Sequence, residues 1–304
     1  MKAVVHTIYG PPEVLKVTEV DKPQPKNNEI LVKIEAATVT AGDVRLRSSD
    51  FPPLFWLPAR LIFGLFRPKK QILGHELSGT VEAIGSKVSR FAVGDAVMGT
   101  TTLLRSGSHA EYVCLPEKWK QGVVIHKPKE LSFKEAATLP IGGMTALFLL
   151  KKAGLKKGMV VLVYGASGSV GSYALQIAKA YGAAVTTVSS GSNFDMLQSL
   201  GADLMLDYKR EDYTTTSNTY DLVFDAVGKT SKSEAKKVLK PSGTFVSITS
   251  ITSEKTEQLQ EVVDLTLTGK IKPFIDKEFP LDAIVAAHHY VETGRKRGNV
   301  VITL

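Results

Sequence analysis

Val160, Val161, Leu162 and Val163 form an unbroken apolar run, the pattern of a parallel strand covered on both faces. A glycine-rich stretch from Gly165 to Gly171 follows, and beyond it apolar side chains recur at helical spacing as far as Lys179. The pattern predicts a strand, a sharp turn and a helix. Further apolar strands at 184–188, 203–206, 222–225 and 244–248 alternate with helical stretches, the last over 255–268, so a doubly wound parallel sheet is expected. Upstream the chain reads as β-rich. Runs of strand character at 2–5, 15–19, 30–37, 77–84, 96–98 and 110–115 are separated by proline and glycine punctuation. Ser132 and Glu135 form a capping box before Ala136, a helix is expected over 143–153, and 271–304 returns to short strands around a helical 281–292.

The turn suits a diphosphate for a physical reason. The first turn of a helix has unpaired N–H groups and a partial positive charge, and glycines let an anion approach them closely. Ala166, Gly168 and Gly171 fill the G-x-G-x-x-G/A positions with alanine first, and Gly165 adds a further flexible point. A tight turn without a ligand uses the same residues, but the strand before it and the helix after it supply the context of a dinucleotide site. Ser189, Ser190, Gly191, Ser192 and Asn193 follow the second strand, where an NAD-preferring site keeps an acid, and no acid occurs before Asp195. Hydroxyls and an amide can donate to a 2′-phosphate that a carboxylate would repel. NADPH is therefore expected over NADH. In such sheets the ligand lies beyond the carboxyl ends of the strands, which makes Tyr208, Ala226, Val227 and the stretch Ser247 to Thr249 the expected rim.

With 304 residues, 43% of them hydrophobic, the chain can build two domains or one large one. Its formal charge of +8 raises the question of nucleic acid, but the lysines are scattered and no basic cluster is interleaved with aromatics, so no nucleic-acid partner is expected. The single cysteine, Cys114, excludes an intramolecular disulfide and a multi-cysteine zinc site. The opening MKAVVHTIYG has no signal-peptide shape. The most apolar stretch, 51–66, is broken by Pro52, Pro53, Pro58 and Arg60 and is shorter than the ~20 residues of a spanning helix. It reads as a packed lobe or a lid over an apolar pocket, with ordinary core as the alternative. A cytoplasmic protein without a membrane span is expected.

Several short motifs add a family likeness. Gly74-His75-Glu76 is followed by Gly79-Thr80-Val81, then come 90–97 (RFAVGDAV), 110–113 (AEYV), 136–140 (AATLP), the glycine turn, 200–203 (LGAD) and 297–301 (RGNVV). In this order, over nearly the whole chain, they resemble the medium-chain dehydrogenase/reductase superfamily, in its zinc-independent quinone-oxidoreductase-like branch. The resemblance implies an α/β protein with a GroES-like catalytic domain over 1–125 and 270–304 and a Rossmann cofactor domain over 126–269. It implies a cleft where NADPH meets a small hydrophobic, electron-poor quinone or α,β-unsaturated carbonyl. Carried over by position, Thr145 lies near the cofactor, and Ser167, Ser169 and Val170 line the diphosphate. Ser190, Asn193 and Tyr208 surround the 2′-phosphate, and Ala226, Val227, Arg297 and Asn299 flank the nicotinamide end.

The chain also departs from the family pattern. Thr40 stands where metal-dependent members supply a cysteine, leaving only His75 and Glu76. Catalytic zinc needs three protein ligands and an open position, so no metal is expected. His75 is then either a hydrogen-bonded structural residue or a group lining the substrate side. Asp43, Arg45 and Arg47 follow Thr40, and Arg45 is the best-placed donor for the acceptor oxygen, its other reading being a surface ion pair. The link from Thr249 to Glu254 leaves little room for the edge strand through which many relatives pair, so monomer and homodimer both stay open. Two other functions remain: an NADPH-binding redox sensor or structural protein with little catalysis, and an alcohol dehydrogenase.

Overall fold

The computed structural model describes residues 1–217 and 219–304, with the side chains of Leu54, Leu103 and Leu104 outside the description. The chain divides into two compact units, Met1–Pro140 with Ile275–Leu304, and Ile141–Phe274. The divisions fall after Pro140 and Phe274, later than the expected 125 and 269. The helix Phe133–Thr138 accounts for the first shift: it packs on the strands Glu29–Thr38 and Glu76–Ile84, and Ser78 Oγ donates to the Phe133 carbonyl.

In the second unit five strands run parallel, in the order Leu204–Asp207, Ala184–Ser189, Val160–Tyr164, Tyr220–Asp225 and Leu239–Ser247. By chain order this is 3-2-1-4-5, a Rossmann arrangement with its switch point between the first and fourth strands. Val161, Leu162 and Val163 are fully buried, as their unbroken apolar run requires. The helix Ser169–Ala180 leaves the first strand, and the helix Pro140–Lys152 lies against it. At Gly142 a Cβ would come within 2.4 Å of Ser169 Oγ and 2.9 Å of the Tyr173 ring, so only glycine permits this approach. Residues 248–255, all described, form no strand before the helix Thr256–Leu267, and the sheet ends at its fifth strand.

The first unit holds a two-stranded antiparallel sheet, Lys2–Val5 with Lys16–Glu19, and a seven-stranded one centred on Glu29–Thr38 and Glu76–Ile84. Ile30, Val32, Ile34, Leu77, Val81, Val97 and Ile302 form the heart of its core. Three helices were not foreseen, Ala41–Ser48, Pro53–Phe63 and the single turn Thr102–Arg105. The second corrects the alternative of ordinary core for 51–66, while of the packed lobe or lid over an apolar pocket it keeps Ile62 and Phe63, which line a cavity of about 80 Å³ with Leu46 and Leu73. Phe63 packs on the core and stacks on Phe51 with ring centroids 5.9 Å apart, but Phe55, Trp56, Leu57, Leu61 and Ile62 are exposed. Among the described residues no helix is long and apolar enough to cross a membrane.

Candidate functional site

The glycine turn is built from three different demands on the backbone. Gly165 has φ +77°, in the left-handed region, and its N–H donates to the Val188 carbonyl at 2.9 Å, tying the turn to the second strand. Gly171 must lack a side chain, because a Cβ would lie 2.3 Å from the Gly165 carbonyl oxygen. Gly168 differs from both. It is the N-cap of Ser169–Ala180 with φ −78° and ψ 176°, a conformation open to any residue, and it makes no side-chain cap. A Cβ there would meet only the Gly165 oxygen, at 3.8 Å. Nothing in the protein's own packing calls for glycine at 168. The space a Cβ would fill lies in front of the amides that open the helix, and a diphosphate fits that cradle.

The expected rim residues collect at the carboxyl ends of the parallel strands. Ser189 Oγ donates to the Ser190 carbonyl at 3.1 Å, and Ser190 and Ser192 share a hydrogen bond of 3.1 Å. Asn193 lies beside them in the turn Gly191–Asn193 with no side-chain cap to make. Asp225, at the end of the fourth strand, organises the opposite rim. Its Oδ1 accepts from the amides of Val227 at 3.2 Å and Gly228 at 2.9 Å, and its Oδ2 accepts from Ser247 Oγ at 2.9 Å. Ser247 in turn accepts from the amide and hydroxyl of Thr249. Ala226 is buried, whereas the Val227 side chain is half-exposed and covers Gly165. Thr145 is half-buried on the helix that packs against the turn's own helix.

Parallel register places Asp207 opposite Ser189, so the chain just beyond the third strand lies beside the serine turn. There Tyr208 is half-exposed, and Lys209 and Arg210 come after it. These three line a cavity of about 300 Å³ with Tyr164 and Lys229. Of its three carboxylates Glu211 is exposed, and the other two are committed elsewhere. Asp212 takes the amide and hydroxyl of Thr214, and Glu234 takes the amide and hydroxyl of Ser231. Lys209 and Arg210 were missed by the sequence reading, which looked for cations only in the turn after the second strand.

In the first unit Thr40 and Asp43 come together as the capping box that starts Ala41–Ser48. Asp43 is fully buried and accepts three hydrogen bonds, from Thr40 N at 2.8 Å, Thr40 Oγ1 at 2.6 Å and Gly74 N at 3.0 Å, and His75 Nδ1 lies 2.7 Å from its Oδ1. Burial alone would push its carboxyl up, but the His75 imidazole, helped by Thr40, holds it far below the usual carboxylate range. The other ring nitrogen of His75 lies 3.2 Å from Ser106 Oγ. Arg45 is turned to solvent on the same helix, and among the described residues no side chain pairs with it. The buried arginine is Arg47. It donates to the Gly10 carbonyl at 3.1 Å and to His288 Nδ1 at 3.3 Å, and it pairs with Glu292. Arg297 is held by Asp276, which accepts from its amide at 2.8 Å and its Nε at 3.1 Å, and Asn299 is buried at the start of the last strand.

Comparison with known proteins agrees with this architecture. Residues 26–129 match the alcohol dehydrogenase GroES-like domain family and 169–271 the zinc-binding dehydrogenase family. A 2-methylene-furan-3-one reductase of Solanum lycopersicum is 36% identical over 99% of this chain and 79% of its own length. The chain belongs to the medium-chain dehydrogenase/reductase superfamily. Among other members, an NADPH-dependent alkenal/one oxidoreductase of Arabidopsis thaliana, a chloroplastic protein, is 31% identical over 99% of this chain and 79% of its own length. The structure of the quinone oxidoreductase from Coxiella burnetii superposes with a TM-score of 0.86 at 30% identity, covering 100% of this chain and 99% of that one.

This member carries two further features that its sequence did not signal. Lys296, whose ammonium donates to the Gly298 carbonyl at 2.6 Å, is pulled down to about 8 by desolvation, with Glu76 and Asp276 drawing it partly back. It is a group that gives up a proton near neutrality. The second feature is a set of histidines buried in the neutral form. His6, His109 and His288 are all lowered, first by burial; Arg47 and neighbouring imidazoles lower His6 and His288 further and His75 does so for His109, while Asp43 draws His109 and His288 partly back up. A histidine that titrates near 6.5 when unfolded and lower when folded binds its proton first in the unfolded chain. Stability is therefore complete above about pH 6.5 and falls as the pH drops below it, by up to about 4 kcal/mol per pH unit where all three contribute. Urea midpoints measured at pH 7.5 and 5.5 check this: the midpoint at 5.5 is expected to be clearly lower, and equal midpoints would contradict it.

Proposed function

We propose that this chain is an NADPH-dependent reductase that delivers a hydride to a quinone or an α,β-unsaturated carbonyl without a metal ion. The observation that carries the reading is Gly168, a helix N-cap whose glycine is required by no contact of the protein itself and whose missing Cβ opens a diphosphate cradle. NADPH, when bound, supplies the hydride. The backbone from Gly165 through Ala166, Ser167 and Gly168, with the amides of Ser169, Val170 and Gly171, holds the diphosphate. Ser189, Ser190, Asn193 and Tyr208 receive the 2′-phosphate, with Lys209 and Arg210 adding charge. Thr145, Ala226, Val227, Ser247 and Thr249 orient the remainder. Thr40 and Asp43 hold His75 in place rather than meeting the acceptor, and Arg45 is left as the free guanidinium of that helix.

The chemistry of the donors supports a metal-free reaction. Thr40 Oγ1 is spent on its helix cap, and both ring nitrogens of His75 face partners, Asp43 and Ser106. Among the described residues no three His, Cys, Asp or Glu side chains are grouped as metal ligands. Without a Lewis acid to polarise an alcohol or simple ketone, the acceptor must already be activated toward hydride. The names of the relatives point to the same substrate class. The direct test is NADPH oxidation by chelator-treated protein against a panel of quinones and enones. Turnover with several is expected; tight NADPH binding with no turnover on any would favour a sensor, and activity restored only by zinc would favour a metal enzyme.

Cofactor choice gives a separate test. Replacing Lys209 and Arg210 together by alanine is expected to raise the KM for NADPH roughly tenfold, the worth of a charge-assisted contact. The KM for NADH should barely move. Equal effects on both cofactors would take the 2′-phosphate away from this corner.

A further inference from the structure

The helix Pro53–Phe63 is patterned inside out. At 100° per residue Phe55, Leu57, Pro58, Leu61 and Ile62 fall within one arc of about 160°. All five are exposed, Phe55 at 61% and Leu61 at 57%. The opposite side carries Ala59, Phe63 and Arg60, the only charged residue in the helix, together with Trp56, which is exposed but has the Arg60 guanidinium 5.3 Å from its ring; Ala59, Arg60 and Phe63 are the residues the protein covers. Arg60 is fully used there. Its Nε donates to the Leu65 carbonyl at 2.8 Å, its Nη1 to Ser49 Oγ at 3.1 Å, and its guanidinium lies 4.0 Å from the centre of the Tyr9 ring. Tyr9 in turn donates to the Gly64 carbonyl at 2.9 Å, so the helix is clamped in this orientation from below. Beyond the helix Leu65 and Phe66 continue the apolar surface, Phe66 at 88% exposure. A surface helix of a free-standing protein turns its apolar stripe inward, so an outward one is a face waiting to be covered.

Charge decides what covers it. From residue 51 to 75 the chain contains no Asp or Glu, whereas Arg67, Lys69 and Lys70 follow directly on Phe66. All three are exposed, and among the described residues no carboxylate pairs with any of them. Lys69 Nζ donates to the Leu61 carbonyl at 2.8 Å, which places a cation alongside the apolar arc. The helix is about 16 Å long, too short to span a bilayer but of the kind that lies in its interface, with aromatic and aliphatic groups among the acyl chains and cations among the headgroups.

We propose that the outward face of Pro53–Phe63, with Leu65, Phe66 and the cations Arg67, Lys69 and Lys70, docks this protein on an anionic lipid surface. The apolar arc supplies insertion, and the cations select phosphate-rich headgroups over neutral ones. Nothing in this inference depends on the reaction the protein catalyses.

Vesicle co-sedimentation of the full chain tests it. Binding to vesicles of phosphatidylcholine with 30 mol% phosphatidylglycerol is expected, together with weak binding to phosphatidylcholine alone and release at high salt. Replacing Arg67, Lys69 and Lys70 by glutamine should lower partitioning into the anionic vesicles about fivefold per residue, roughly a hundredfold in all. Replacing Leu57, Leu61 and Phe66 by serine should abolish binding. Since those side chains touch water, both variants should melt at the temperature of the parent. Absence of binding by the parent, or equal binding by parent and variants, would overturn the proposal. So would a concentration-dependent dimer that the serine variant dissociates, because the face would then belong to a second copy of the chain.

Discussion

Gly168→Asp is expected to leave the fold intact while lowering NADPH affinity by more than a hundredfold. The backbone at 168 has φ −78° and ψ 176°, which any residue adopts, and a Cβ would find only the Gly165 oxygen, 3.8 Å away. Aspartate is among the best N-cap residues, and here it would accept from the second or third amide of the helix and add on the order of a few tenths of a kcal/mol over glycine. The same carboxylate would stand where the diphosphate has to sit. At 4 Å and an effective dielectric near 20 each pair of like charges costs about 4 kcal/mol, ample for the stated loss. A melting curve and a fluorescence titration with NADPH decide the matter. An unchanged or raised melting temperature with lost binding is expected; undiminished binding would remove the nucleotide from this turn. Gly171→Ala makes the contrast, since its Cβ would lie 2.3 Å from the Gly165 oxygen and should lower the melting temperature with or without ligand.

The difference between these two glycines was invisible in the sequence, where both fit one spacing rule. What was legible came from local patterning. The strands of the parallel sheet are covered on both faces, so they appear as apolar runs, and their order along the chain carried the Rossmann arrangement with it. Even there the fifth strand begins at Leu239, earlier than expected, because Lys240-Pro241-Ser242-Gly243 has the composition of a turn. The strand absorbs the irregularity as a register shift against Tyr220 and Leu222. The helix Ala41–Ser48 was missed for the opposite reason: it has few apolar residues, and it buries Asp43 and Arg47 along with Leu46. Its start signal was present as Thr40 with Asp43 three residues later, but the two were read as chemistry rather than as a cap. Contacts over long separations left no local mark. Asp43 meets Gly74 and His75 some thirty residues away, and Arg47 meets His288 across 241 positions. The exposed face of Pro53–Phe63 was misread because apolar composition by itself says nothing about which way a helix is turned.

Asp43→Ala is expected to be the most damaging single substitution in the first unit, costing about 3–5 kcal/mol. Three donors converge on this carboxylate beside the Nδ1 of His75, and the amide of Gly74 and that nitrogen are buried with it. Removing it leaves those donors without an acceptor, at about 1–3 kcal/mol each, and strips Ala41–Ser48 of its capping box. His75 also loses the group that fixes its orientation, so any turnover that depends on the ring should fall together with stability. Asp43→Asn keeps one acceptor oxygen in nearly the same volume and should recover part of the stability. It cannot restore the charge that faces His75, and it brings an NH₂ group toward donors that need an acceptor. Arg45→Ala, two residues along the same helix and facing water, is the matching control and should change the urea midpoint very little. The three midpoints, measured at pH 7.5 where the buried histidines are neutral in both states, order the variants as Arg45→Ala, Asp43→Asn and Asp43→Ala from most to least stable. An Asp43→Ala protein as stable as its parent would mean that the network around this carboxylate contributes nothing to the fold.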